Sequence, residues 1–78
     1  MGTKFNGHKN WNHWNVSLWI NNDEGLYRHA LLCIRRTSTR RQAAGLMLAE
    51  LHGSGLFTTP DVAPYSISAI RAAMVGML

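Results

Sequence analysis

The stretch Trp11-Asn12-His13-Trp14-Asn15-Val16-Ser17-Leu18-Trp19-Ile20 carries all three tryptophans of the 78-residue chain. Read as a helix, it puts Trp11, Trp14 and Leu18 on one face, at spacings of three and four, and Val16, Trp19 and Ile20 on another. A helix apolar on two faces belongs inside a fold, with its neighbours packed around it. A buried tryptophan removes about 150–250 Å² from water, so this segment is expected to be the largest contributor to the core. On that reading Trp14→Ala costs about 3–5 kcal/mol and unfolds the domain.

Outward from this helix, residues 1–10 are polar and read as an arm, with Phe5 turned back onto the core. Asn10 or Asn12 caps the helix, because an Asn side chain accepts from the free N–H groups of the first turn. The helix runs to about Ile20, where Asn21-Asn22 breaks it. Asn21 or Asn22 then caps a second helix from about Asp23 to Arg35. Its Leu26, Tyr27, Ala30, Leu31 and Ile34 recur at helical spacing, and Asp23 and Glu24 suit the positive end of the helix dipole. Thr39 and Gln42 match a capping box opening a third helix from about Arg40 to His52, with Gly53 just past its end. Residues 53–65 form the longest irregular stretch. There Thr59-Pro60-Asp61 starts a single turn, and Leu56, Phe57 and Val62 pin the loop to the core. Ser66 caps a last helix from Ile67 to about Met77, with Ile67, Ile70, Met74, Met77 and Leu78 on one stripe. The expected fold is all-α: one domain over residues 1–78, a small compact bundle of about four helices with the Trp-rich first helix central.

A chain this short hides only about 60% of its unfolded surface, so its core has to be used fully. With 46% hydrophobic and 15% charged residues it is globular, and it leaves apolar surface for a partner, a second copy included. The single Cys33 excludes an intramolecular disulfide; within Ala30-Leu31-Leu32-Cys33-Ile34 it reads as a small buried hydrophobe. No secretory signal opens the chain and no run reaches the ~18 apolar residues of a membrane span, which points to a cytoplasmic protein. The net charge of +4 excludes an acidic mimic of DNA and fits nucleic acid or an acidic protein surface as partner.

Little in the sequence carries catalysis. The four histidines, at positions 8, 13, 29 and 52, include no pair four apart, and one cysteine makes no C-x-x-C, so neither a metal site nor a cofactor is expected. Of the carboxylates, Asp23 and Glu24 serve the second helix and Glu50 reads as solvated on the third. Gly53-Ser54-Gly55 is not a phosphate-binding loop, and no nucleophile elbow occurs. The expectation is a protein that is not an enzyme. The most suggestive polar feature is the arginine group. Arg35, Arg36, Arg40 and Arg41 flank the turn between helices two and three, and with Arg28 they make one basic corner, the expected partner-binding surface. The same residues also suit a solvated turn answering the helix dipole. Any nucleic-acid contact would fall on phosphate and weaken with salt, because the third helix is too apolar to read base edges.

Asn10-Trp11-Asn12-His13-Trp14-Asn15-Val16-Ser17-Leu18-Trp19-Ile20-Asn21-Asn22-Asp23-Glu24-Gly25-Leu26-Tyr27 resembles the opening of small phage- and plasmid-encoded proteins, approximately W-x-N-x-x-T-W-N-V-x-L-W-I-x-N-D-E-x-L-Y. Thr59-Pro60-Asp61 is a weaker echo. This chain has Asn12-His13 where those proteins usually have Glu-Thr. Most of them have no assigned activity, so the motif carries over as structural core and not as a site. The resemblance implies a mobile-element origin and a bacterial host cell. It makes the leading expectation an inhibitor of a host defence complex, of the anti-CRISPR kind, acting by steric occlusion of a protein or ribonucleoprotein. The alternatives are a basic nucleic-acid-binding accessory protein and a structural homo-oligomer.

Overall fold

The computed structural model describes residues 8–77. Four helices follow one another: α1 Trp11–Asn22, α2 Glu24–Arg35, α3 Arg40–Gly53 and α4 Ile67–Ala73. Each is opened by a side chain that accepts from a first-turn N–H: Asn10 from His13, Asp23 from Leu26, Thr39 from Gln42 and Ser66 from Ala69. Gln42 Oε1 accepts in return from the Thr39 N–H at 3.3 Å, which closes the capping box.

The α1–α2 junction is tighter than the paired asparagines suggest. Asn21 and Asn22 stay helical, and their amides turn back to carbonyls one turn earlier, Asn22 Nδ2 donating to Leu18 O at 2.7 Å and Asn21 Nδ2 to Ser17 O at 2.9 Å. Asp23 is the cap instead. Its extended backbone ends α1, its N–H still donating to Trp19 O at 2.9 Å, while its carboxylate opens α2. One residue therefore closes one helix and starts the next.

At the end of α3, Gly53 is the last helical residue and Gly55, at φ 80, takes the left-handed position. Leu56 N–H donates to Leu51 O at 2.8 Å and Gly55 N–H to His52 O at 3.0 Å, the bond pair of a Schellman cap. The last helix ends at Ala73, short of Met77. Met74 and Met77 stay buried beyond it, on a turn that Gly76 closes at φ 87. Phe5 and Leu78 lie outside the described residues.

The helices pack in cyclic order, α1 on α2, α2 on α3, α3 on α4 and α4 on α1. The core between them is built of small and flexible side chains: Val16 and Ile20 from α1, Ala30 and Cys33 from α2, Ala43, Ala44 and Met47 from α3, Ala69 and Ile70 from α4. The tryptophans, expected at its centre, are not buried. Trp11 is 39% exposed, and Trp14 and Trp19 are half-buried. Each wall of a four-sided bundle turns one stripe inward. In α1 that stripe takes Val16 and Ile20, one turn apart, together with Asn15, and the indoles flank it. Alanines on the facing helices draw the backbones close and leave no room for three large rings.

The loop of residues 53–65 also differs from expectation. Leu56, Phe57 and Val62 are exposed; Thr59, Ala63 and Tyr65 are the residues that sink. The stretch folds on itself through Thr59 N–H to Ala63 O at 2.9 Å, Val62 N–H to Thr59 O at 2.8 Å and Tyr65 N–H to Phe57 O at 3.0 Å. This pinches Thr59-Pro60-Asp61-Val62 into a turn that aims the two polar side chains of residues 59 and 61 at α1. Phe57 rests on the His52 ring, centroids 4.9 Å apart. No described helix is long and apolar enough to cross a membrane.

Candidate functional site: an arginine-lined groove

The start of α3 carries a local contradiction. A helix N-terminus is positive, so anionic residues belong in its first turn. Here the first two helical residues are Arg40 and Arg41, and the first turn holds no acid. The two guanidinium groups line a groove of about 680 Å³ between α3 and α4, with Arg71 of α4 on the opposite wall and His13 of α1 at one end. Ile67, Ala72 and Val75 add apolar lining, and no carboxylate lines it among the described residues. Arg40 also donates through Nη2 to the Met77 carbonyl, which fixes that side chain across the helix pair.

His13 forms a hydrogen bond with Ser68, Nε2 to Oγ at 2.9 Å, and so ties α1 to α4. Burial holds the His13 imidazole below its ordinary pKa, and the nearby Lys9 and His8 charges push it the same way. The positive charge of the groove at neutral pH is therefore carried by its arginines.

Of the five arginines expected to make one corner, the structure brings only Arg40 and Arg41 into this groove. Arg28 pairs with Glu24 one turn earlier on α2, Arg36 reaches Glu50 with Nη1 to Oε2 at 3.5 Å, and Arg35 is exposed on α2. Arg71 stands alone in an apolar helix, and nothing beside it in the sequence groups it with the other arginines. Its spacing of four from Ile67 puts it on the face of an apolar residue, so the sequence carries no signal of the exposed position it takes.

A second constellation is structural. Asp61 Oδ2 accepts from Asn15 Nδ2 and from Trp19 Nε1, each at 2.9 Å. Thr59 Oγ1 donates to Asn15 Oδ1 at 2.6 Å and accepts from the Ala63 N–H at 3.1 Å. Asn15 and Thr59 are buried, and every buried side-chain polar atom among the described residues has a partner. The N–H bonds from Asn15 and Trp19 hold the Asp61 carboxyl below its ordinary range. The Trp-Asn-Val opening and the Thr-Pro-Asp turn are thus two halves of one clamp between α1 and the loop.

A third group joins α2 to α3. His29 Nε2 lies 2.6 Å from Glu50 Oε1, and the Cys33 thiol donates to the same oxygen at 3.6 Å. Glu50 is therefore not simply solvated, and the His29 bond, then Cys33 and Arg36, keep its carboxyl below its usual range. Cys33 is buried as expected, and burial, reinforced by the Glu50 charge, pushes its thiol up to about 11. A thiol held protonated in this way is a poor nucleophile.

Fold and groove together define a small all-α protein with a basic cleft, partly apolar in its lining, on one side. The chain belongs to a family of unknown function (DUF7249), whose model matches residues 1–78. No curated protein and no solved structure matches it.

Proposed function

We propose that the protein is a binding protein and not an enzyme, and that it inhibits a host complex by seating the groove between α3 and α4 on an anionic face of it. The observation that carries this reading is the placement of Arg40 and Arg41 at the positive end of α3, opposite Arg71, in a groove with apolar lining. An acidic protein surface offers both the charge and the apolar contact such a groove rewards, whereas bare phosphate rewards only the charge. The carboxylates support a non-catalytic reading. Asp23 caps α2, Glu24 pairs with Arg28, Asp61 closes the loop clamp and Glu50 bridges α2 to α3. The resemblance of Asn10–Tyr27 to phage- and plasmid-encoded proteins supports a bacterial defence complex as the target, and occlusion of the anti-CRISPR type as the mode of action.

The test is capture of partners from bacterial lysate on the tagged protein, with and without nuclease, run beside the double variant Arg41→Glu, Arg71→Glu. A protein complex that survives nuclease and is lost with the double variant is the expected result. Nucleic acid alone, lost on nuclease treatment and released steeply by salt, would replace the inhibitor with a phosphate-binding accessory protein. A complex retained equally by the double variant would move the binding surface away from the groove.

A further inference from the structure

His29 and Cys33 lie four residues apart, one turn of α2, so their side chains leave the same face of the helix. Glu50 comes from the facing turn of α3. His29 and Glu50 are half-buried, while Cys33 is fully buried. One ligand atom from each of the three lies within 4.8 Å of the other two. A histidine nitrogen, a cysteine sulfur and a carboxylate oxygen are the donor set of a zinc site. We propose that His29, Cys33 and Glu50 bind a zinc-type divalent cation that joins α2 to α3, with water completing a tetrahedron on the solvent side.

Two of the three separations stand close to what a tetrahedral ion needs, and the third, between His29 and Cys33, has to close from within 4.8 Å. Ligands about 2.0–2.3 Å from a tetrahedral ion stand roughly 3.3–3.7 Å from one another. The Cys33 Sγ to Glu50 Oε1 separation is already 3.6 Å. His29 Nε2 and Glu50 Oε1, at 2.6 Å, have to part by about 0.7 Å, which a small rotation of a half-exposed glutamate supplies. The other oxygen of Glu50 stays with Arg36, 3.5 Å away, which orients the carboxylate from outside as outer partners do in metal sites. The protons balance simply. The ion displaces the thiol proton to solvent, and His29 coordinates through Nε2 with its ring proton on Nδ1. The bonds among the three side chains are exchanged for three bonds to the ion. Without a cation, burial and the neighbouring carboxylate keep the thiol protonated; a divalent charge at that point reverses the balance and deprotonates it. Affinity therefore rises with pH. The thiolate selects zinc or cobalt over magnesium, which prefers oxygen ligands and six-fold geometry.

The site is on α2 and α3 and does not depend on the proposed function of the groove. The test is titration of the chelator-treated protein with Co²⁺, followed by displacement with Zn²⁺. One equivalent of Co²⁺ is expected to bring up a thiolate-to-cobalt charge-transfer band. Cys33→Ser should abolish it, and His29→Ala and Glu50→Gln should each weaken binding about tenfold or more. His52→Ala, whose ring packs on Phe57 and is not one of the three ligands, should bind as the wild type does. Because Cys33 is buried and its variant is at risk of misfolding, the melting temperature of the wild-type protein provides a second reading. Zn²⁺ should raise it, Mg²⁺ should not, and the half-exposed His29→Ala variant should lose the zinc response. Absence of a charge-transfer band at stoichiometric Co²⁺ would overturn the proposal, as would unchanged affinity in His29→Ala.

Discussion

Thr59→Val tests the loop clamp most directly, because it keeps the shape of the side chain and removes only the hydroxyl. That hydroxyl donates to Asn15 Oδ1 at 2.6 Å and accepts from the Ala63 N–H at 3.1 Å. Both partners are buried, with Asn15 at 2% and Ala63 at 0% exposure. The substitution orphans one acceptor and one donor, each at a cost of about 1–3 kcal/mol. Asp61 at the rim is exposed and admits some water, so the low end of the combined range applies, about 2–3 kcal/mol. A 78-residue domain has roughly 4–12 kcal/mol in total, so the loss is a large share of it. At about 4–8 °C per kcal/mol, the melting temperature should fall by roughly 10–20 °C. Chemical denaturation with circular dichroism measures the change, and a double-mutant cycle with Asn15→Ala isolates the pair. A coupling above about 0.5 kcal/mol is expected, since the two residues share one network. A Thr59→Val protein within about 0.5 kcal/mol of wild type would refute the Thr59 hydroxyl as a source of stability, and would leave the clamp to the Asp61 bonds with Asn15 and Trp19.

Other outcomes follow from the same bonds. Asp61 and Glu50 both have folded pKa values below their ordinary ones, so the unfolded chain takes up protons first. Their contribution to stability is full above about pH 5 and is lost as pH falls through the depressed values, and Asp61→Asn should flatten that decline in urea midpoints taken between neutral and acid pH. The two glycines at the end of α3 should respond with opposite signs: Gly53→Ala, in helical backbone with open space around it, gains about 0.5–1 kcal/mol, whereas Gly55→Ala, at φ 80, loses about 1–2 kcal/mol. Thermal melts of the pair decide this, and a stabilising Gly55→Ala would contradict the Schellman assignment. Ile20→Ala, in the fully buried stripe of α1, should cost about 2–5 kcal/mol in the same melts. Arg41→Glu places an acid in the first turn of α3 and should stabilise the helix by about 0.3–1 kcal/mol while weakening partner capture; loss of both stability and capture would mean that Arg41 supports the fold.

The helices were legible because their ends are written locally. Thr39 with Gln42, Ser66, and Asp23-Glu24 are short-range signals, and they fall where the helices begin. The burial of α1 was not legible, for a physical reason. Periodicity shows which residues share a face, but not how many faces the neighbours will cover. Two apolar stripes on Trp11–Ile20 implied full burial, yet the inward stripe includes Asn15, a polar residue paired 44 and 46 positions away with Thr59 and Asp61. The same limit hid the groove and the α2–α3 cluster. Arg71 meets Arg40 and Arg41 only once α4 folds back on α3. Glu50 meets His29 and Cys33 only once α3 folds back on α2. Histidine spacing alone does not contain the His29–Cys33 pair, although the two stand four residues apart, the separation of a helical metal site.

What distinguishes Arg40 and Arg41 from the other arginines is their disagreement with local structure. Arg28 lies one turn after Glu24, an arrangement that supports α2, and Arg35 sits near its negative end, where a cation is favoured. Those positions are explained by folding alone. At the start of α3 both positions oppose the dipole, and Thr39 and Gln42 already supply the capping that the helix needs. Natural sequences are mostly consistent across levels, and a conflict at one level marks a place where something other than stability is being served. An anion brought to this groove would meet the helix dipole, Arg41 and Arg71 together. The unfavourable placement in the unbound chain thus becomes part of the binding energy, which is why the groove, and not the arginines of α2, is the surface on which partner binding is expected to depend.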